Sequence, residues 1–203
     1  MSKRVYISAD YDLFYGDQEV TEELHKWGKD TKHKTDFVDT AQVSCGSVSE
    51  DSDCRPCDLK AEFNKQINAS SAVIIVIGDK TSMRTAGCGC ERHIKSQAEC
   101  KCTPYKQNTN GTKACKVYFT KEMGPNEDVG NINDYSYLRH EFEQAKKKNK
   151  TIIVVYNSLY KQSKWLPKYM EEYEDVAHPF WKTNILGEKV GDYQYIKKAL
   201  GYE

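Results

Sequence analysis

The sequence has no excess of charge of either sign and no long hydrophobic run. Its 203 residues include 30 lysines and arginines against 30 aspartates and glutamates, so the formal net charge is zero. A protein that binds nucleic acid through a strongly basic field is therefore not expected. The longest apolar run, residues 72–77, is far shorter than the about 20 residues of a transmembrane helix, and no membrane association is expected.

A secretory leader is not expected either. A secretory signal contains about 7–15 consecutive apolar residues, whereas the apolar stretch near the N-terminus covers only residues 5–7. We therefore expect a cytoplasmic protein whose thiols stay reduced. Aromatic residues make up 11% of the chain, too many for a disordered protein. At about 100–200 residues per domain, the length predicts a single domain over residues 1–203.

Three short apolar runs predict buried parallel strands. Each is continuous and rich in β-branched residues, as expected where helices cover both faces of a sheet. The strands are residues 4–8, 72–78 and 151–156, with 35–39 as a weaker fourth, and helical patterns occupy residues 19–29, 58–68 and 137–149. This alternation predicts an α/β fold with a parallel sheet flanked by helices.

One glutamate of the third predicted helix stands out. At 100° per residue, Leu138 and Phe142 lie on the apolar stripe of that helix and Glu141 lies at its edge. Tyr137 lies one turn earlier on the same side, whereas Glu143 points away from the stripe. Two interpretations stay open: a carboxylate at the mouth of the sheet cleft, or a border residue whose stem packs while its head reaches water.

Four segments of the chain, taken together, resemble the motifs of a known family. They are Lys3-Arg-Val-Tyr-Ile-Ser8 with Tyr11, Ile67-Asn-Ala-Ser-Ser-Ala-Val-Ile-Ile-Val-Ile-Gly78-Asp-Lys-Thr81, Tyr137-Leu-Arg-His-Glu141 and Lys150-Thr-Ile-Ile-Val-Val155. Together they resemble the TIR-like domains, and most of all the subgroup that includes the Thoeris anti-phage signalling proteins. The resemblance covers most of residues 3–81 and 137–156. His140 stands where an aromatic residue is usual.

The resemblance implies a flavodoxin-like fold and, in the catalytic members, cleavage of NAD at the nicotinamide–ribose bond. Glu141 matches the family's catalytic glutamate. Nicotinamide leaves as a neutral pyridine and needs no general acid, so a nearby anion has only to stabilise the oxocarbenium-like ribosyl centre. Capture by water would give ADP-ribose and capture by the adenine of the substrate would give a cyclic product. The sequence does not choose between them.

The implied enzyme is an NAD nucleosidase or ADP-ribosyl cyclase that makes an ADP-ribose-type signal in anti-phage defence. NAD would be its substrate, with no cofactor required. Self-association is expected by family analogy, and a separate nucleotide-sensing effector protein would act downstream. One alternative is a non-catalytic TIR-like interaction module in which Glu141 is a remnant. Another is a phospho-acceptor domain built on Asp10, Asp12 and Asp79, which would also need a lysine where this chain has Tyr156-Asn157.

The other expected substrate-binding residues follow strand ends, where ligands bind in parallel sheets. They are Ser8, Ala9, Asp10 and Tyr11 after the first strand, Gly78, Asp79, Lys80 and Thr81 after the strand at 72–78, and Tyr137 on the helix. Tyr11 suits stacking on a planar ring, and Lys80 suits a diphosphate. Each could equally be a loop cap. The sequence has no Gly-x-Gly-x-x-Gly, which excludes an ordinary dinucleotide-binding Rossmann domain.

Residues 82–135 interrupt the pattern and are interpreted as a cysteine-rich insertion before the catalytic helix, because a crossover needs only a few loop residues. In the family only a handful of residues separate the threonine from the helix. Four cysteines in the insertion could hold a structural zinc ion: Cys88, Cys90, Cys100 and Cys102. Their Cys-x-Cys spacing is tighter than the usual Cys-x-x-Cys. Reduced thiols, and disulfide or redox chemistry, stay open as alternatives.

Overall fold

A five-stranded parallel sheet forms the centre of the part that the computed structural model describes, residues 3–10, 17–29, 35–39, 56–84 and 136–202. The strands are β1 (Lys3–Ser8), β2 (Thr35–Asp39), β3 (Ala72–Ile77), β4 (Thr151–Tyr156) and β5 (His178–Pro179). Their order in the sheet is β2-β1-β3-β4-β5, and each neighbouring pair is parallel. The predicted α/β fold is confirmed. The short strand β5 was not predicted, because it contains no apolar run.

Helices cover both faces of the sheet. They are α1 (Gln18–Gly28), α2 (Pro56–Ala69), α3 (Tyr137–Lys147) and α4 (Tyr193–Ala199). The first three match the predicted helices to within two residues at each end. At the start of α3 the Ser136 hydroxyl accepts the Arg139 amide at 3.0 Å, a normal N-cap.

The side chains of the central strands divide between two hydrophobic layers. Val5 and Ile7 of β1 join the layer that contains Val20 and Leu24 of α1. Tyr6 points the other way, because successive side chains of a strand alternate between the faces. It joins the layer formed mainly by α2 and α3, which includes Phe63, Ile67, Leu138 and Phe142. We call these the α1 face and the α3 face.

The strand order reverses at β1. The chain passes from β1 outward to β2 and then returns to the other side of β1 with β3. Such a reversal leaves a crevice between the carboxyl ends of the two central strands, where ligands bind in open α/β sheets. Ser8-Ala9-Asp10 and Gly78-Asp79 therefore lie at the expected place for a site.

The C-terminal part adds elements without apolar periodicity. They are the 3₁₀ segments Ser163–Trp165 and Lys168–Tyr173, and an antiparallel hairpin of β6 (Trp181–Thr183) and β7 (Lys189–Gly191). Of the predicted insertion only the first residues are described, and Thr81–Met83 form a single 3₁₀ turn there. Among the described helices, none has the length and apolar character needed to cross a membrane.

Candidate active site

Glu141 lies in the second turn of α3 and is only 1% exposed. The Tyr6 hydroxyl donates to Oε1 at 2.8 Å, and the Ser8 hydroxyl donates to Oε2. Both donors come from β1 because Tyr6 and Ser8 are two residues apart and so project from the same face. The interpretation of Glu141 as a border residue whose head reaches water is therefore wrong.

Apolar side chains flank Glu141 along the helix. Leu138 and Phe142, its neighbours on the helix, are fully packed against the sheet. A carboxylate placed among such groups loses its hydration, which costs several kcal/mol unless hydrogen bonds replace the water. The two hydroxyl donors provide that replacement and fix the orientation of the carboxylate. The result is an oriented acidic group beneath the crevice between β1 and β3.

Asp10 follows β1 directly and lies at the same end of the sheet. The backbone amide of Gly78 donates to Thr81 Oγ1 at 2.9 Å, and the Thr81 side chain hydrogen-bonds to the Asp10 carboxylate. The second oxygen, Asp10 Oδ2, is buried and has no hydrogen-bond partner among the described residues. Burial raises the pKa of Asp10, while the Thr81 hydrogen bond and the Arg84 charge oppose the rise.

Tyr169, from the 3₁₀ segment Lys168–Tyr173, extends into the same region and was not predicted. The Arg139 guanidinium lies 5.2 Å from the centre of its ring. Its hydroxyl oxygen is buried, and no hydrogen bond of good geometry reaches it from the described residues, although the Ser136 hydroxyl lies beside it. Burial raises the pKa of Tyr169, and the charges of Asp10 and Glu141 add to the rise. The phenol therefore stays protonated and can donate a hydrogen bond.

A second buried carboxylate lies at the start of α1 and was also missed. Asp17 is 3% exposed. Asn157 Nδ2 donates to its Oδ1 at 3.1 Å, and Asn157 Oδ1 in turn accepts from Trp181 Nε1 at 2.7 Å. Burial raises the pKa of Asp17 to about 7; the Asn157 hydrogen bond opposes the rise, and the charges of Asp10 and Asp79 add to it.

Gly78 makes room for this carboxylate. A Cβ atom at position 78 would lie 2.7 Å from Asp17 Oδ1 and 3.0 Å from Oδ2, closer than van der Waals contact allows. The glycine is thus needed for the packing of α1 against the end of β3.

The remaining predicted residues are divided between buried and exposed positions. Ala9 and Thr81 are buried, Lys80 is half-buried, and Asp79 projects into solvent. Tyr137 is half-buried and packs edge-on against Phe63, with ring centres 5.6 Å apart. The structure thus brings Ser8, Asp10, Thr81 and Glu141 together at one end of the sheet, whereas Asp79 is exposed.

Several predicted residues lie outside the described part of the chain. They are Tyr11, Asp12, Cys88, Cys90, Cys100 and Cys102. A role for Tyr11 and a zinc site in the insertion therefore stay predictions. Within the ranges that the structure describes, no group of three or more His, Cys, Asp or Glu residues could hold a metal ion.

Comparison with known proteins adds no relative. No family model matches the chain, and neither a curated protein nor a solved structure matches it significantly.

Proposed function

We propose that this chain is a TIR-like NAD nucleosidase or ADP-ribosyl cyclase and that Glu141 is its catalytic carboxylate. The observation that supports this most is the carboxylate itself, buried at the carboxyl end of β1 and oriented by Tyr6 and Ser8. The strand order β2-β1-β3-β4-β5 is that of flavodoxin-like folds, which supports the finer fold assignment.

The chemistry proposed for Glu141 is electrostatic. As the bond between C1′ of the ribose and the nicotinamide nitrogen lengthens, positive charge develops on the ribosyl ring and the nicotinamide leaves as a neutral base. An anion fixed beside that ring stabilises the developing charge, and it does so more strongly in a buried site than in water. Water then attacks C1′ and releases a proton to give ADP-ribose, or the adenine attacks to give a cyclic product.

The hydrogen bond from Ser8 suggests how a substrate reaches a buried carboxylate. Ser8 is the last residue of β1, at the strand end that borders the crevice, and its hydroxyl donates to Glu141 Oε2. A ribose hydroxyl that displaces the serine exchanges one hydrogen bond to the carboxylate for another, which has little net cost. Tyr6, deeper along the strand, continues to hold Oε1.

The cellular role proposed with this activity is signalling in anti-phage defence. The nucleotide product would be recognised by a separate effector protein, and copies of the chain would associate with one another in the cytoplasm. NAD is the only small-molecule partner required.

The test is NAD turnover followed by product chromatography. Wild-type protein, Glu141→Gln and Glu143→Gln are compared at high protein concentration, with and without lysate from phage-infected cells. Glu143 is the matched control because it lies on the same helix and is exposed. We expect wild type and Glu143→Gln to consume NAD, and Glu141→Gln to be slower by at least about 100-fold. The retention time of the product distinguishes a cyclic from a linear nucleotide.

Two results would contradict the proposal. Wild-type protein that consumes no NAD under either condition would favour a non-catalytic interaction module. Turnover by Glu141→Gln at the wild-type rate would remove Glu141 from the chemistry. Circular dichroism of each variant establishes that it is folded before activity is compared.

A further inference from the structure

We infer that Asp10 and Tyr169 form a subsite beside Glu141 that binds a vicinal diol, the 2′- and 3′-hydroxyls of the ribose that is cleaved. The identity of the sugar rests on the proposed function, whereas the preference for a diol follows from the polar atoms of the subsite. The sequence did not indicate Tyr169, and it did not show which residue would act together with Asp10.

The inference is based on two buried polar atoms that lack a hydrogen bond of good geometry within the described residues. Asp10 Oδ2 and Tyr169 Oη are both buried, and no hydrogen bond of good geometry reaches either from the described residues, although the Ser136 hydroxyl lies beside Tyr169 Oη. A buried polar atom in that condition costs about 1–3 kcal/mol, and a bound ligand that hydrogen-bonds to it recovers that cost. Here two such atoms come from separate parts of the chain.

Both atoms belong to the surroundings of Glu141. Asp10 lies two residues after Ser8, whose hydroxyl donates to Glu141. Tyr169 is close enough to Asp10 and Glu141 for both charges to act on its hydroxyl. Its ring lies against Arg139, which is two residues before Glu141 on α3. The unpartnered atoms and the proposed catalytic group thus lie together at one end of the sheet.

Glu141 offers a sugar hydrogen-bond acceptors but no donor. Each of its oxygens already accepts one hydrogen bond from β1, and an ionised carboxylate has no hydrogen to donate. A donor to a sugar hydroxyl must therefore come from a neighbouring residue such as Tyr169.

A diol matches the two groups that are present. An ionised carboxylate only accepts hydrogen bonds, while a phenol can donate one and accept another. Each sugar hydroxyl can do both, so one can donate to Asp10 Oδ2 while a hydroxyl of the same diol accepts from Tyr169. The oxygens of an ionised phosphate only accept hydrogen bonds, so they cannot bond to Asp10 Oδ2.

The test measures binding of ADP-ribose to the wild-type chain by calorimetry, so it requires no catalytic turnover. The same measurement is made with two analogues that lack the 2″- or the 3″-hydroxyl of the terminal ribose. Tyr169→Phe and Asp10→Asn are the test variants. Tyr173→Phe is the control, because Tyr173 lies in the same 3₁₀ segment and packs on the same ring, that of Phe142, at 5.5 Å against 5.8 Å for Tyr169.

We expect Tyr169→Phe and Asp10→Asn each to weaken ADP-ribose binding about three- to tenfold. The two variants should also lose most of the preference for ADP-ribose over the deoxy analogues. Tyr173→Phe should bind like wild type. Equal weakening by Tyr169→Phe and Tyr173→Phe, an unchanged preference over the analogues, or no binding to the wild type would each overturn the subsite.

The outcome also distinguishes the subsite from the proposed function. Diol-dependent binding by a chain that never consumes NAD would support the subsite and contradict the enzyme. Turnover that requires Glu141 but is insensitive to Tyr169 and Asp10 would support the enzyme and overturn the subsite.

Discussion

Within the described residues, each face of the sheet has one fully buried carboxylate side chain near the carboxyl end of the strands, Glu141 or Asp17, and the two are held in different ways. On the α3 face, Glu141 accepts hydrogen bonds from two hydroxyls of a single strand. On the α1 face, Asp17 accepts from the Asn157 amide, which is itself fixed by Trp181. The partners of Glu141 are groups that a sugar hydroxyl can imitate and replace, whereas those of Asp17 join α1, β4 and β6.

The two carboxylates are about equally buried, so burial alone does not distinguish the role proposed for Glu141 from that of Asp17. Asp17 is buried and its pKa is raised to about 7, which are features often associated with active sites. Its carboxylate is nevertheless packed against Gly78 and bonded within the core. We therefore interpret Asp17 as a structural group and Glu141 as the reactive one.

The largest effect on stability is expected from the ionisation of Asp17. Its pKa is about 7 in the folded protein and 3.8 in a model peptide, so the folded state keeps the proton to higher pH. The free energy of unfolding should therefore fall as the pH rises from 4 to 7, by at most about 4 kcal/mol. Asp17→Asn removes this loss and keeps an oxygen that can accept from Asn157. We expect it to be more stable than wild type at pH 8, by about 2–4 kcal/mol.

Urea unfolding from pH 4 to 8 measures this effect. Asp10, whose pKa is also raised, remains in the variant. The free energy of unfolding of the variant should therefore still decline as the pH rises, but less steeply than that of the wild type. Identical pH profiles for wild type and Asp17→Asn would show that Asp17 is not buried as described.

A smaller loss of stability is expected when Gly78 is replaced by a residue with a side chain. In Gly78→Ala the new Cβ would lie 2.7 Å from Asp17 Oδ1, and crowding of this kind costs about 1–3 kcal/mol. In an Asp17→Ala background the obstacle is gone, so the same substitution should cost much less. A double-mutant cycle measured by urea unfolding gives the coupling between the two residues. A coupling of zero would contradict the packing of Asp17 on Gly78.

The smallest expected effect on stability comes from removing one of the two hydroxyls that donate a hydrogen bond to Glu141. Tyr6→Phe keeps the ring in the core but leaves Glu141 Oε1 without its 2.8 Å hydrogen bond, which should cost about 1–2 kcal/mol of stability. In a Glu141→Leu background the cost should nearly disappear, because no carboxylate remains to be satisfied. An equal cost in both backgrounds would mean that the Tyr6 hydroxyl stabilises the fold independently of Glu141.

The fold was largely predictable because buried parallel strands leave continuous apolar runs in the sequence. β1, β3 and β4 carry that pattern, whereas β5 has two residues, His178 and Pro179, and no pattern at all. Helical periodicity likewise located α3 and singled out Glu141. It could not show that Glu141 is buried, since its donors Tyr6 and Ser8 lie 135 and 133 residues away along the chain.

Asp17 and Tyr169 could not have been found from the sequence. Asp17 stands at an ordinary helix start, and its burial depends on contacts with Gly78 and Asn157 that only the folded sheet creates. Tyr169 lies in a 3₁₀ segment without apolar periodicity and reaches the site by packing against Phe142 and Arg139. Local pattern carries no information about such distant contacts.

The most direct test of the distinction between the two carboxylates is NAD turnover by Glu141→Gln and Asp17→Asn, measured side by side under the conditions in which wild type is active. We predict that Glu141→Gln loses turnover while Asp17→Asn stays within about tenfold of wild type. Loss of turnover in Asp17→Asn with full activity in Glu141→Gln would place the chemistry on the α1 face and contradict the assignment of Glu141.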